Sequence, residues 1–202
     1  MGDVKIMSHY AFYRQGADFL IGKVGVSLPT GSIDVTGRTP HGASQRLPYS
    51  MQLGAGTLGY VSELTFIDQR YNWAWGIHAT AIGWFGRNAH SWRPGVQYHT
   101  GGWITRRMTD WMAPLLHVDI HREADIVGAD PELDPSMTPA ADGENYSELH
   151  VSLEPGLSFY IAGGALKGQR LSIESPVVVY DRHSGAVLEH AWEALVRWQW
   201  AF

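Results

Sequence analysis

His117-Val118-Asp119-Ile120-His121 is the densest run of metal- or proton-handling side chains in the sequence. On a β-strand His117, Asp119 and His121 share one face, each about 7 Å from the next. Two imidazoles and a carboxylate are ligands for Zn or Cu. Alternate residues of a single strand lie too far apart to share one ion without help from a neighbouring strand. The run is therefore expected to be a polar wall, with no metal and no cofactor. Gly54-Ala-Gly-Thr-Leu-Gly59 matches the dinucleotide pattern G-x-G-x-x-G, but that fold needs a strand before it and a helix after it. Here Pro48 and a loop precede it and more strand follows. Asp125, Asp130, Glu132, Asp134, Asp142 and Glu144 crowd one segment without the spacing of a calcium loop, so a solvated acidic loop stiffened by Pro131, Pro135 and Pro139 is expected. Ser152 and His150 share a strand face, but nothing marks a base and an orienting group converging on a nucleophile. No enzyme is expected.

The elements that must carry these side chains read as strands. From Trp192 to Phe202, one alternating set is Trp192, Ala194, Val196, Trp198, Trp200 and Phe202, and the other is Glu193, Leu195, Arg197, Gln199 and Ala201. Period-two alternation assigns each set to one side of a strand. Soluble proteins blunt edge strands with charge or proline. A face of three Trp and a Phe instead fits the closing strand of an outer-membrane barrel, with lipid on one side and a polar lumen on the other.

Nine such segments are expected, near 4–13, 18–28, 50–67, 73–86, 96–108, 111–123, 147–162, 169–181 and 188–202. Short connections at 14–17, 68–72, 109–110 and 163–168 alternate with longer ones at 29–49, 86–95, 124–146 and 182–187. Short periplasmic turns alternating with long external loops are the pattern of up-and-down barrels. Nine is odd, whereas single-chain bacterial barrels have an even number of strands. The reading therefore expects at least one strand, and three for a barrel of about 12, upstream of Met1. The alternative is a split or merged segment at 50–67, with a bulge near Gly54–Gly59. No charged n-region followed by an apolar stretch opens the chain, so no signal peptide is expected within it. The whole of 1–202 is taken as one β-barrel domain.

Alternation also assigns faces. Leu149, Val151, Leu153, Pro155, Leu157, Phe159 and Ile161 oppose His150, Ser152, Glu154, Gly156, Ser158 and Tyr160. Leu171, Ile173, Val177 and Val179 oppose Ser172, Glu174 and Val178. The expected lumen-lining residues are His78, Arg107, His117, Asp119, His121, His150, Glu154, Glu174, Glu193 and Arg197. Arg106 and Arg107 cannot both face inward, so one is expected at the membrane edge. Trp73, Trp75, Trp84, Trp92, Tyr98, Trp111, Trp198 and Trp200 fall near strand ends, where barrels carry aromatic girdles.

Composition agrees. Charged residues are 17% and aromatics 12% of 202 residues, with 23 Gly, no Cys and a net charge of −5. No apolar run approaches the roughly 18 residues of a transmembrane helix. No basic run suggests nucleic-acid binding. Absent cysteine excludes disulfide frameworks and thiolate metal sites.

Several longer stretches bear a family likeness: Val26-Ser-Leu-Pro-Thr-Gly-Ser-Ile-Asp34, Leu47-Pro-Tyr-Ser-Met-Gln-Leu-Gly-Ala-Gly-Thr57, Gly128-Ala-Asp-Pro-Glu-Leu-Asp-Pro135, Gly163-Gly-Ala-Leu-Lys-Gly-Gln-Arg-Leu171 and Trp198-Gln-Trp-Ala-Phe202. Through them the chain resembles the outer-membrane β-barrel transporter proteins grouped loosely with the phenol-degradation MetA-pathway proteins. The resemblance covers nearly the whole chain and implies a barrel of about 12 strands that acts as a passive pore in the bacterial outer membrane. It carries over no functional residues. Relative to the family, this chain begins well into the barrel. The expected partners are outer-membrane lipid, the barrel assembly machinery through Trp198, Trp200 and Phe202, and a small solute, either an ion or an aromatic or hydrophobic compound. Two rivals stand beside this reading: a non-conducting binding or adhesion barrel acting through its external loops, and a soluble β-sandwich or barrel.

Overall fold

A computed structural model describes residues 2–39, 42–161, 163–164, 166–185 and 193–200. Trp192 and Phe202 of the carboxyl-terminal face lie outside them. The strands are β1 (Val4–Gln15), β2 (Asp18–Leu28), β3 (Thr36–Thr39), β4 (Gly42–Arg46), β5 (Gly59–Arg70), β6 (Trp73–Trp84), β7 (Trp92–Arg93), β8 (Gln97–Arg106), β9 (Met112–Glu123), β10 (Val127–Gly128), β11 (Glu148–Tyr160), β12 (Gln169–Glu174), β13 (Val177–His183) and β14 (Leu195–Trp200). Ten of them form one antiparallel sheet in the order β1-β2-β5-β6-β8-β9-β11-β12-β14, with β13 also paired to β11. The fold is all-β.

β12 and β13 take the same edge of β11, one along Gly156–Tyr160 and the other along Glu148–Leu153. They are two halves of one ribbon, interrupted at Ser175-Pro176, where proline supplies no ladder donor. The Ser175 N–H still donates to the Pro155 carbonyl at 3.1 Å. The sheet is thus a meander of nine ribbons, in number and order those expected from alternation. The exception is 50–67. Its first part is a 3-10 turn at Tyr49–Met51 followed by loop, and β5 starts only at Gly59. The phase change around Gly54–Gly59 is the junction of loop and strand, not a bulge.

Connections alternate as expected. At the short end, Gly16 (φ +61°) and Tyr71 (φ +49°) adopt the left-handed conformation that two-residue hairpin turns require. At the other end the long connections are built rather than loose. β3 and β4 form a hairpin, and β7 pairs with β10 across two loops. Ile33, Tyr49 and Trp92 make a buried cluster with Ile126, Leu133 and Tyr146 against it. Tyr49 packs edge-on to Trp92 at 4.9 Å and to Tyr146 at 5.8 Å. Burial pushes the Tyr49 phenol above its ordinary range; the hydrogen bond from the Asp130 backbone opposes the rise, and the charge of Asp130 adds to it. It stays protonated while its oxygen accepts the Asp130 N–H at 2.9 Å.

The expectation of a solvated acidic loop fails at Asp130, which is buried. Arg46 reaches it from β4 at 3.4 Å, and also reaches Asp34 at 3.4 Å and Glu132 at 3.1 Å. The Asp130 contact is one of charge alone, since that oxygen makes no hydrogen bond among the described residues.

The two sides of the sheet differ in kind. Val24, Val26, Leu64, Trp73, Trp75, Ile77, Tyr98, Ile104, Leu116, Val118, Leu153, Leu157, Ile173, Val196, Trp198 and Trp200 all stand exposed on one side, Trp198 at 70%. No second sheet or helix covers this side among the described residues. The other side buries Ser27, Val61, Ala113, Ser152, Glu154, Ser158, Ser172 and Glu174, again with no second layer. A face reaches such burial uncovered only when its sheet curls over it. Curling also explains how Lys5 of β1 and Ser27 of β2 line the same cavity as Gln97 of β8 and Glu123 of β9. Among the described residues β1 and β14 do not pair, so the ring is not closed.

Candidate functional site

Pleating sends alternate residues of each strand to the curled, polar side, and register decides which of them meet. One row crosses the sheet as Lys23, Glu63, Thr80, His99, His121 and His150. The next row toward the short-turn end runs Thr65, His78, Gly101, Asp119 and Ser152. Beyond it, Trp103, His117 and Glu154 stand in line. The result is a wall of imidazoles and carboxylates that no single strand could have built.

Contacts within the wall are close. Lys23 Nζ donates to Glu63 Oε1 at 2.7 Å, and Thr65 donates to the same oxygen at 3.0 Å. His99 Nε2 lies 2.5 Å from Asp119 Oδ2. The His78 ring sits 5.1 Å from that of His99 and 6.2 Å from that of His117, while His99 and His121 are 6.2 Å apart. His117 Nδ1 approaches Glu154 Oε2 at 3.6 Å, and its Nε2 is buried with no hydrogen-bond partner among the described residues. His150 and His183 flank Asp181 at 3.9 and 3.2 Å. Nearer the short turns, Arg170 donates to Ser158 Oγ at 2.8 Å. The guanidinium groups of Arg107 and Arg170 both face the Tyr160 ring.

The metal-compatible groupings therefore differ from the run expected in sequence. His117, Asp119 and His121 do not converge. Instead His78, His99 and Asp119, drawn from three strands, bring one ligand atom each within 4.8 Å of the others, and so do His117, Glu154 and Glu174. In the second group Glu174 is already held by Arg197. With Glu174 only 3% exposed, Arg197→Met leaves a nearly buried carboxylate without its donor. A loss of about 1–3 kcal/mol is expected, because water reaches the arginine side of the pair. Urea unfolding checks this, with Arg197→Lys losing less.

Of the ten residues expected to line a lumen, His78, His117, Asp119, His121, His150, Glu154, Glu174 and Arg197 lie in strands on the polar side. Two do not lie in strands. Arg107 follows the end of β8 in a turn, its N–H bonded to the Asn72 carbonyl at 2.7 Å. Glu193 precedes β14 in an exposed connection, where its carbonyl accepts from Ser175. Arg106 takes the outer side against the Trp73 ring. Two aromatics leave the expected girdle: Trp92 is 3% exposed inside the loop cluster, and Trp84 lines the cavity below it. Sequence reasoning missed Lys23, Glu63, His99 and Arg170 as members of the wall. Alternation with Tyr98, Thr100 and Ile104 could have placed His99.

No protein-family model matches the chain, and no curated protein sequence matches it.

Proposed function

We propose that the chain belongs to a bacterial outer-membrane β-barrel that lets small solutes pass through a polar lumen. The observation that carries this reading is the opposition of the two faces. One side exposes a continuous field of Trp, Tyr, Val, Leu and Ile that water penalises. The other holds paired charges and histidines that hydrocarbon would penalise. A transmembrane barrel gives each side the solvent it suits. The curl of the sheet turns the polar side inward, and no helix among the described residues is long and apolar enough to cross a membrane. Unpaired strand edges are costly in hydrocarbon, so in the inserted state neither β1 nor β14 is left with a free edge. A ring on the order of 12 strands falls between filled eight-strand barrels and open 16-strand ones, which makes the pathway narrow. The loop cluster roofs a cavity of about 550 Å³, narrowing one mouth further. Outer-membrane lipid then faces Trp73, Trp75, Trp198 and Trp200, and the barrel assembly machinery reads the carboxyl-terminal strand.

Reconstitution in planar lipid bilayers tests the function. Discrete conductance steps are expected, and the absence of steps from inserted protein rejects the pore. A second reading, a binding barrel acting through its external loops, gains from one observation: the long loops share a packed core. In that case inserted protein conducts nothing, and cleavage within 124–147 abolishes ligand binding. A monodisperse product without detergent overturns both.

A further inference from the structure

We propose that His78, His99 and Asp119 form a binding site for a divalent transition-metal ion of the Zn²⁺ class on the polar side of the sheet. The site is assembled across β6, β8 and β9, and glycine makes it possible. Gly101 pairs with His78 on one side and Asp119 on the other. A Cβ on Gly101 would lie 2.9 Å from His78 Cε1 and 3.2 Å from Asp119 Oδ2. With no side chain there, the imidazole and the carboxylate lean over β8 toward each other. His99, two residues before Gly101 on the same strand, closes the third corner.

The donor set is right for the ion. Two imidazole nitrogens and one carboxylate oxygen suit Zn²⁺, Cu²⁺ or Ni²⁺ and do not suit Mg²⁺ or Ca²⁺, which take oxygen shells. The three ligand atoms lie within 4.8 Å of one another. Ligands about 2.1 Å from a shared ion sit roughly 3.4 Å apart in a tetrahedron. Modest side-chain rotation reaches that geometry: His78 closes in and the His99–Asp119 contact opens. His78 makes no side-chain hydrogen bond among the described residues, so ligation costs it none. His117, with its unpartnered buried nitrogen, stands beside His78 and can offer a further imidazole. The other cluster competes poorly, because Arg197 already neutralises Glu174. Three protein ligands leave a coordination position for water or a passing solute. The site depends on strand register alone and stands whether or not the sheet spans a membrane.

Titration of the full chain in detergent micelles with ZnCl2, followed by calorimetry, tests the site. One equivalent bound at micromolar or tighter affinity is expected, with no heat from MgCl2. His99→Ala and Asp119→Asn should each weaken binding more than tenfold, while His90→Ala in the loop region leaves it unchanged. Electron paramagnetic resonance of the Cu²⁺-loaded native chain needs no variant: splitting from at least two imidazole nitrogens is expected. No Zn²⁺ binding, an equal response to Mg²⁺, a Cu²⁺ spectrum without nitrogen splitting, or binding that survives the His78→Ala/His99→Ala double substitution overturns the proposal.

Discussion

Val118→Arg is expected to cost roughly 2–4 kcal/mol of folding free energy in phospholipid bilayers, the price of a cation near the hydrocarbon midplane. Val118 sits at the middle of β9, pairs with Gly102 and Leu153, and is 39% exposed on the apolar side. Nothing packs on that side among the described residues, so the same substitution in water would change stability by no more than about 0.5 kcal/mol. The two environments therefore give different answers from one side chain. Equilibrium folding in urea into lipid vesicles supplies the measurement. His150→Arg, which adds charge to the polar side of the adjacent strand, should cost a small fraction of the Val118→Arg penalty. If both variants insert as well as the native chain, the apolar side does not face lipid.

Arg46→Met should open the loop cluster while leaving the sheet intact. The Arg46 side chain is 9% exposed and faces three carboxylates, of which Asp130, its side chain at 1%, has no other cation beside it among the described residues. Removing one partner of a buried pair leaves an uncompensated charge and costs about 3–5 kcal/mol. The loops hang together through Ile33, Tyr49 and Trp92 and the short β7–β10 ladder, apart from the ten-stranded sheet, so the loss appears as local opening. Hydrogen exchange or limited proteolysis across 124–147 should report it, with the β-sheet circular dichroism signal retained. Asp130→Asn in the Arg46→Met background should restore much of the protection, because the buried charge goes with its partner. Unchanged protection in Arg46→Met shows that water already reaches Asp130.

Most of the sheet was legible because alternation is a local property. Leu149 to Phe159 and His150 to Tyr160 separate in the structure as their positions require, and the ribbons follow in the expected order. Gly54 to Gly59 misled because glycine is compatible with both loop and strand. Whether it belongs to either depends on contacts with distant segments: the Ala55 N–H donates to Asp3 and its carbonyl accepts from Asn88. Arg107 and Glu193 misled because parity carries no information beyond the end of a strand.

The sequence by itself determined which side chains share a side of each ribbon, because the pleat has a period of two and needs no partner. It could not determine which residues on different ribbons meet. His117, Asp119 and His121 are neighbours in sequence that diverge, while His78, His99 and Asp119 are brought together by strand register and by the empty Cβ position at Gly101. Register is set by pairing between ribbons, and curvature by the whole sheet. The polar wall, the loop cluster and the candidate metal site therefore belong to the tertiary structure alone.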